Sequence, residues 1–273
     1  MTARRVLGAA GLALPVAVLA VLALMAAWPG LFTSQSPLAN DLAVALRPPS
    51  LDHPFGTDNL GRDVYARTVH GARTSLLVGI GATAIGAVGG VLLGALAALG
   101  PRWLDAALLR VLDVLLAFPN LLFALVVIAF FGKGTVNVLV SIGIAAIPGF
   151  ARVARAEIMV VRNAGYVTSA VAIGSPPRRY ILRRILPNSL TTVVVLATLG
   201  IGTSIIAASG LSFLGLGPEP PAPEWGLMLA AARDLLAHAW WTGFFPGLVL
   251  TVTVVSVTLV GRRLKVRFDR RTA

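Results

Sequence analysis

The chain has 273 residues, of which 57% are hydrophobic and only 12% are charged, with a mean hydropathy of +0.85. Because soluble domains average about 25% charged residues, this composition excludes an ordinary soluble protein and indicates a membrane protein. The formal net charge of +12 could suit a nucleic-acid partner, but arginines that orient membrane spans explain this charge better. No nucleic-acid partner is therefore expected. Cysteine is absent, which excludes disulfides and thiolate metal sites.

Apolar runs along the chain predict an all-α membrane protein with six transmembrane helices, since about 20 apolar residues cross roughly 30 Å of hydrocarbon. The predicted spans are 6–28, 74–99, 112–131, 136–150, 191–208 and 244–260. A seventh apolar run, 226–245, contains Arg233, Asp234 and His238. Charged side chains are costly in lipid, so this run is predicted to be a surface or re-entrant helix.

Several residues within the spans predict how the helices pack. Small residues recur every four positions in the second span, at Gly86, Gly90 and Gly94. Such a stripe allows the backbones of two helices to approach closely. Pro119 is predicted to kink the third span, because it removes a helix hydrogen bond. Arg110 and Asp113 are three residues apart near its start and are predicted to form a local ion pair.

The distribution of basic residues predicts the orientation. If the N-terminus is cytosolic, the cytosolic segments are 1–5, 100–111, 151–188 and 261–273. These segments contain 17 of the 23 Lys and Arg residues, whereas the outer segments contain six, together with seven acidic residues. The positive-inside rule therefore predicts a multi-pass membrane protein with both termini in the cytosol.

Motifs for catalysis are missing from the sequence. No G-x-x-x-x-G-K-[ST] phosphate-binding loop occurs, so the chain is not expected to hydrolyse ATP, and no cofactor is expected. The three histidines are scattered and match no metal-ligand spacing. The second, fourth, fifth and sixth spans contain no charged residue, which argues against a self-sufficient channel or secondary transporter.

The loop 151–188 is the most distinctive polar segment, with seven arginines and one acid. We predict a short helix over 163–173, a reversal at Gly174, and a second helix with Pro176 and Pro177 at its first turn. Pro187 is predicted to stop or bend this second helix. The predicted apolar face of the loop comprises Val167, Ala170, Val171 and Ile173. The arginines of the second helix, at 178, 179, 183 and 184, are predicted to remain in water or to meet acidic groups.

This loop resembles the EAA motif of ABC-importer permeases, in which E-A-A is followed by three residues, a Gly, and a Leu-Pro pair that begins twelve residues later. The matching positions and their neighbours are Tyr166, Val167, Thr168, Ser169, Ala170, Gly174, Leu186 and Pro187. Four further segments resemble successive blocks of the C-type permease of dipeptide, oligopeptide and nickel importers. They are HPFGTDNLGRDVYARTVHGARTSL, VLDVLLAFPNLL, GLSFLGLGPEPPAPEWG and GRRLKVRFD.

The resemblance implies the type I ABC importer transmembrane fold. A first unit, 1–73, would hold one transmembrane helix and an extracytoplasmic segment, and a second, 74–273, would hold five helices and the coupling loop 151–188. The implied partners are a B-type permease, two cytosolic ATPase subunits that bind the ATP, and an extracytoplasmic substrate-binding protein. The eight motif residues would couple the chain to the ATPases. The implied cargo is a di- or oligopeptide, with nickel chelates or another small solute as the alternative.

The sequence departs from the family pattern in three places, one of them the terminal block, where Arg262, Arg263 and Arg270 replace Asp, Gly and Pro. Thr168 occupies the position of the motif glutamate, which removes a negative charge that could meet the ATPase. Ala208 stands where the family often has a glutamate, so an acid that would attract cationic cargo is missing. Coupling is therefore expected to depend on the shape of the loop and on its arginines.

Overall fold

The computed structural model of the protein describes residues 3–272, and the side chains of residues 12–266. Over this part of the chain the structure is helical, and the only extended pairing is an isolated bridge between Thr57 and Asp63. The helices are α1 Ala3–Ala27, α2 Val64–Leu99, α3 Arg102–Ala117, α4 Asn120–Phe131, α5 Thr135–Arg162, α6 Gly165–Ala172, α7 Pro177–Tyr180, α8 Leu186–Phe213, α9 Trp225–Ala232 and α10 Trp241–Thr272. The predicted all-α class is confirmed.

The number of spans differs slightly from the prediction. Four helices are long and apolar enough to cross a membrane: α2, α5, the continuous helix Pro177–Phe213, and α10 as far as Val266. Helices α3 and α4 supply a fifth span if the pair is taken together. The described apolar stretch of α1, Leu12–Ala27, falls short of a full span. The described residues thus contain four or five candidate spans, whereas six are predicted for the whole chain. The basic side chains of 1–5 and 267–273, which the orientation prediction uses, are not among the described residues.

The third predicted span is not one helix. Helix α3 ends at Ala117 and α4 begins at Asn120, with an angle of 97° between them. Phe118 is extended, with φ −83° and ψ 135°, as expected for a residue that precedes a proline. Pro119 therefore breaks the helix rather than kinking it. The prediction of a continuous span over 112–131 is wrong for this reason.

Two ion pairs hold α3 against α5. The Arg155 guanidinium binds the Asp105 carboxylate through two nitrogens, with Nε–Oδ1 at 2.5 Å and Nη2–Oδ2 at 2.6 Å. Arg152, one turn earlier on α5, binds Asp113. The predicted local pair between Arg110 and Asp113 is wrong, because Asp113 pairs with Arg152 of α5 instead. The hydrogen bond from Arg155 lowers the pKa of Asp105 below its ordinary value, so this carboxylate stays ionised.

The contact between α2 and α5 forms the centre of the helical core. Its closeness depends on the predicted glycine stripe of α2. A Cβ atom added at Gly90 would lie 2.8 Å from the backbone nitrogen of Ala151, and one at Gly94 would lie 2.7 Å from the Ala151 carbonyl oxygen. A Cβ at Gly86 would lie 2.8 Å from the Cβ of Ala146. The stripe thus brings two backbones into contact, as predicted.

Polar and aromatic contacts close the end of the bundle where α2 begins. Asp63 caps α2, since its Oδ1 accepts the backbone N–H of Ala66 at 2.6 Å, and its Oδ2 lies 2.8 Å from Nδ1 of His53. Trp225, which is fully buried at the start of α9, donates from Nε1 to the carbonyl of Thr68 at 2.9 Å. This end is therefore tied to both α2 and α9 by directed hydrogen bonds.

The run 226–245 does not form a span, as predicted. It contains the eight-residue helix α9 and a 3-10 turn at Arg233–Leu235, and α10 begins at Trp241. Glu224 caps α9 by accepting the N–H groups of Gly226 at 2.9 Å and Leu227 at 2.8 Å. Next to α9, helix α2 begins ten residues before the predicted second span and runs through position 74 without a break. The division into units 1–73 and 74–273 stays a prediction.

We predict that Gly90→Ala destabilises the protein, because its new methyl group would press on the backbone of α5. Overpacking of this kind costs about 1–3 kcal/mol. The measurement is the thermal midpoint of the protein purified in detergent. Gly149→Ala on α5 is the matched control, since no atom lies within 4 Å of the point where its new methyl group would stand. It should leave the midpoint unchanged or raise it slightly, and a Gly90→Ala midpoint at the wild-type value would contradict the contact.

Candidate functional site

Residues 163–188 form a helical elbow, which is the candidate site. Its first arm is α6 and its second arm is α7, which continues through a π-helical turn at Ile181–Ile185 into α8. The prediction of two short helices around Gly174 is confirmed. Gly174 has φ +77°, a conformation that side chains disfavour, and its N–H bonds to the carbonyl of Val171 at 3.0 Å. The N–H of Ser175 bonds to the carbonyl of Ala170, also at 3.0 Å, which completes a Schellman cap.

The inner side of α6 is packed against this chain's own core. Val167 is 2% exposed and belongs to a buried cluster with Ala98 of α2, Ile158 of α5 and Ile185 of the π-helical turn. Ala170, one turn further along α6, is 1% exposed. The first arm is thus anchored to the two helices whose contact forms the centre of the bundle and to the second arm.

The outer side of the elbow is apolar and open. Tyr166 is 44% exposed, Val171 is 52% exposed and Ile173 is 78% exposed. The prediction that Val167, Ala170, Val171 and Ile173 share one face is therefore wrong. Val167 and Ala170, three residues apart on α6, lie on the side that packs against the core, whereas Val171 and Ile173 do not. What remains is an exposed apolar surface, a feature that marks a contact site for another protein or for lipid.

Hydrogen bonds between the two arms and the core stiffen the elbow. Arg184 of the second arm donates from Nη1 to the carbonyl of Tyr166 on the first arm at 2.7 Å. At the start of the elbow, Arg162 donates to the carbonyl of Ala98 on α2 at 2.8 Å. Thr168, at the glutamate position of the motif, donates its hydroxyl to the carbonyl of Gly165 at 2.9 Å. This side chain is exposed but offers no charge to a partner.

The second arm continues past the proline that was predicted to stop or bend it. In the π-helical turn, the N–H of Leu186 bonds to the carbonyl of Ile181, five residues earlier. The wider turn makes room for the ring of Pro187, which lies in the first turn of α8 and needs no N–H partner there. The elbow therefore passes directly into a membrane-spanning helix.

All eight predicted site residues lie on the elbow. Tyr166, Val167, Thr168, Ser169 and Ala170 lie on α6, Gly174 forms the turn, and Leu186 and Pro187 begin α8. The sequence interpretation missed the residues that anchor the elbow from outside the loop, Ala98 and Ile158. Their only signal was apolar character at the ends of α2 and α5, which does not distinguish them from their neighbours.

A second feature is a cavity of about 220 Å³ between α4, α5 and α8. Its wall is mostly apolar, with Asn120, Thr203 and Ser204 as the polar exceptions. Ser204 also forms a 3.1 Å hydrogen bond with the hydroxyl of Thr83 on α2. Within the described residues, no three His, Asp or Glu side chains come together as a metal site. The cavity is thus an apolar recess with three polar side chains in its wall.

Comparison with solved structures identifies the fold. The structure matches the inward-facing MetNI methionine ABC transporter with a TM-score of 0.61 at 17% identity, covering 72% of this chain and 94% of that chain. It also matches an amino acid ABC transporter crystallised with histidines, with a TM-score of 0.56 at 16% identity, covering 75% of this chain and 94% of that chain. At these identities the matches show the fold alone, and the predicted type I importer fold is confirmed.

Comparison of sequences identifies the family. The di/tripeptide transport system permease protein DppC of Pseudomonas aeruginosa is 40% identical over 215 residues, which cover 79% of this chain and 71% of the relative. The glutathione transport system permease protein GsiD of Escherichia coli is 42% identical over 221 residues, which cover 81% of this chain and 73% of the relative. Residues 90–273 match the family described as the binding-protein-dependent transport system inner membrane component. The chain belongs to this family and is an ABC-transporter permease.

Proposed function

We propose that this chain imports di- or oligopeptides as one permease subunit of an ATP-driven importer and forms half of its translocation pathway. The observation that carries the proposal is the elbow, which is anchored inside by Val167 and exposes apolar side chains outside. Peptide cargo is supported by relatives named as dipeptide and di/tripeptide permeases, at 39% and 40% identity. The relative named for glutathione, itself a tripeptide, supports the same class of solute.

The elbow is the proposed coupling surface for a cytosolic ATPase subunit. The eight motif residues belong to it, and its exposed apolar side chains, chiefly Tyr166, Val171 and Ile173, would enter a groove of the ATPase. When two ATPases bind ATP and close, each would displace the elbow that it holds. Val167 and Ala170 would carry this displacement to α2 and α5 as a rigid-body shift of packed helices. ATP binding and hydrolysis belong to the ATPases, because the chain has no phosphate-binding loop.

The remaining partners follow from the open cavity and the family. The cavity between α4, α5 and α8 would be this chain's half of the pathway, which a similar B-type permease would complete. Asn120 and Thr203 would then face the polar backbone of a passing peptide. An extracytoplasmic substrate-binding protein would deliver cargo at the end of the bundle that contains α9.

The proposed orientation places both termini and the elbow in the cytosol of a bacterial cell, as the positive-inside rule requires. Because the chain has no cysteine, single cysteines can be labelled selectively. A membrane-impermeant maleimide should label Leu51→Cys in intact cells, since Leu51 is fully exposed at the end opposite the elbow. Ser169→Cys on the elbow should react only after permeabilisation. Labelling of Ser169→Cys in intact cells, with Leu51→Cys labelled only after permeabilisation, would contradict the orientation.

The transport function is tested in cells that lack other peptide importers and express the chain with its ATPases, second permease and binding protein. Labelled dipeptide should accumulate in these cells. Unlabelled dipeptide should compete with this uptake, whereas free amino acids and nickel should not. Gly174→Val should reduce both uptake and co-purification of the ATPases. A β-branched residue at positive φ costs about 1–2 kcal/mol or changes the shape of the turn. A cost of this size corresponds to roughly a tenfold weaker binding of the ATPases to the elbow.

The control for this experiment is Gly174→Asn at the same position, because asparagine tolerates positive φ. It should retain most uptake and ATPase binding. Normal co-purification of the ATPases with Gly174→Val would contradict the coupling role of the elbow. Absence of dipeptide uptake in a complex that still holds its ATPases would instead contradict the cargo. The purified chain alone should not hydrolyse ATP.

A further inference from the structure

Two buried arginines share one carboxylate near the start of α2. Arg62 is 7% exposed and Arg67 is 4% exposed. The Oδ2 atom of Asp58 lies 2.7 Å from Nε of Arg62 and 3.8 Å from Nε of Arg67. Within the described part of the chain, neither arginine pairs with any other acid. These three side chains therefore carry a net positive charge in a region that water hardly reaches.

The buried carboxylates at this end of the bundle already have partners. Asp63 caps α2 and Glu224 caps α9. The Oδ1 atom of Asp58 accepts two backbone N–H groups, at 2.9 Å and 3.0 Å, while its Oδ2 accepts from Nε of Arg62. The excess positive charge thus has no counter-charge among the described residues. A buried charge without one is costly, which favours the binding of an anion from solution.

Several guanidinium N–H groups of this pair have no acceptor within the protein. Arg67 uses Nη1 on the carbonyls of Pro37 at 2.9 Å and Pro221 at 3.2 Å. The side chain of Arg62 uses only its Nε, on Asp58. Both terminal nitrogens of Arg62 and the Nη2 of Arg67 form no hydrogen bond with any residue from 12 to 266. Such donors suit an anion, because hydrogen bonds between charged groups are stronger than neutral ones.

A small cavity lies against these donors. Its volume is about 20 Å³, and its wall includes Asp58, Asn59, Arg62, Arg67 and Ala231. A cavity needs about 10–15 Å³ to hold one water molecule, so this one has room for a single small ion and for nothing as large as a phosphate. Asn59 and Ala231 are exposed, which gives an ion access from their side.

We propose that this cavity binds a halide ion such as chloride. The ion would accept hydrogen bonds from the terminal nitrogens of Arg62 and from Nη2 of Arg67, and it would neutralise the buried pair. Through the carbonyls of Pro37 and Pro221, Arg67 already joins α2 to the loop before it and to the chain that leads into α9. The bound ion would therefore stabilise the contact of these three segments. The proposal depends neither on the peptide cargo nor on the ATPase contact.

The test uses the purified full-length chain in a neutral detergent. Its thermal midpoint is measured in sodium chloride and in sodium gluconate at equal ionic strength, because gluconate screens charges equally but is too large for the cavity. Chloride should raise the midpoint by about 2–4 °C once its concentration is several times the Kd, and bromide should do the same. Equal midpoints in chloride and gluconate would overturn the proposal.

Two variants remove the excess positive charge in different ways. Arg62→Gln deletes one guanidinium group and keeps the backbone hydrogen bond to Asp58, whereas Ala231→Glu adds a carboxylate to the cavity wall. Each should abolish the stabilisation by chloride. The matched control is Ala237→Glu, which adds the same charge at an exposed position that does not line the cavity. This control should keep the full stabilisation by chloride.

A second measurement detects the ion directly. The wild-type chain should broaden the NMR line of chloride, and both variants should lose this broadening. If Arg62→Gln does not fold, Ala231→Glu decides alone, and full stabilisation by chloride in that variant would overturn the site. Stronger stabilisation by formate than by chloride would show a site for a carboxylate, such as an acidic side chain of a partner, and would overturn the assignment to a halide.

Discussion

The backbone contact between α2 and α5 is the interaction on which the other features of the structure depend. Lipid tails are as apolar as leucine side chains, so two helices in a bilayer gain little from covering apolar surface alone. Close van der Waals packing provides the stability instead, and it requires small residues such as Gly86, Gly90 and Gly94. The same two helices contribute Ala98 and Ile158 to the cluster that holds Val167. The glycine stripe and the elbow anchor therefore belong to one packed unit.

This arrangement offers a route by which the elbow, as the proposed coupling surface, would move the proposed pathway. The elbow is joined to the bundle by buried side chains on α6, by the bond between Arg184 and Tyr166, and by the unbroken helix from α7 into α8. An applied force moves packed helices as rigid bodies, because their interiors are too dense to deform gradually. Helices α5 and α8 both line the cavity proposed as half of the pathway. A displacement of the elbow thus reaches the pathway through elements that contact each other directly.

Much of this structure is predictable from local sequence. Hydropathy locates the long helices, and the requirement for positive φ identifies Gly174 as the turn, because no other residue type adopts that conformation as readily. The features that were mispredicted depend on contacts between distant residues. Whether Pro119 kinks or breaks a helix depends on what the flanking helices pack against, and Asp113 pairs with Arg152 of α5, which is 39 residues away in the sequence. Pro187 is accommodated by a π-helical turn, which has no simple sequence signature. Which side of α6 is buried likewise depends on its packing against α2, α5 and the π-helical turn.

The central claim, that the elbow and α2 move as one body, is tested most directly by a distance measured between them during the ATP cycle. Spin labels at Leu182→Cys on the elbow and Leu96→Cys on α2 would report this distance by double electron–electron resonance in the assembled transporter. Both side chains are more than half exposed, at 61% and 54%, and the chain has no cysteine of its own. Rigid-body coupling predicts the same narrow distance distribution with ATP bound and without nucleotide. A distribution that shifts or broadens between the two states would show that the elbow moves independently of α2 and would contradict the claim.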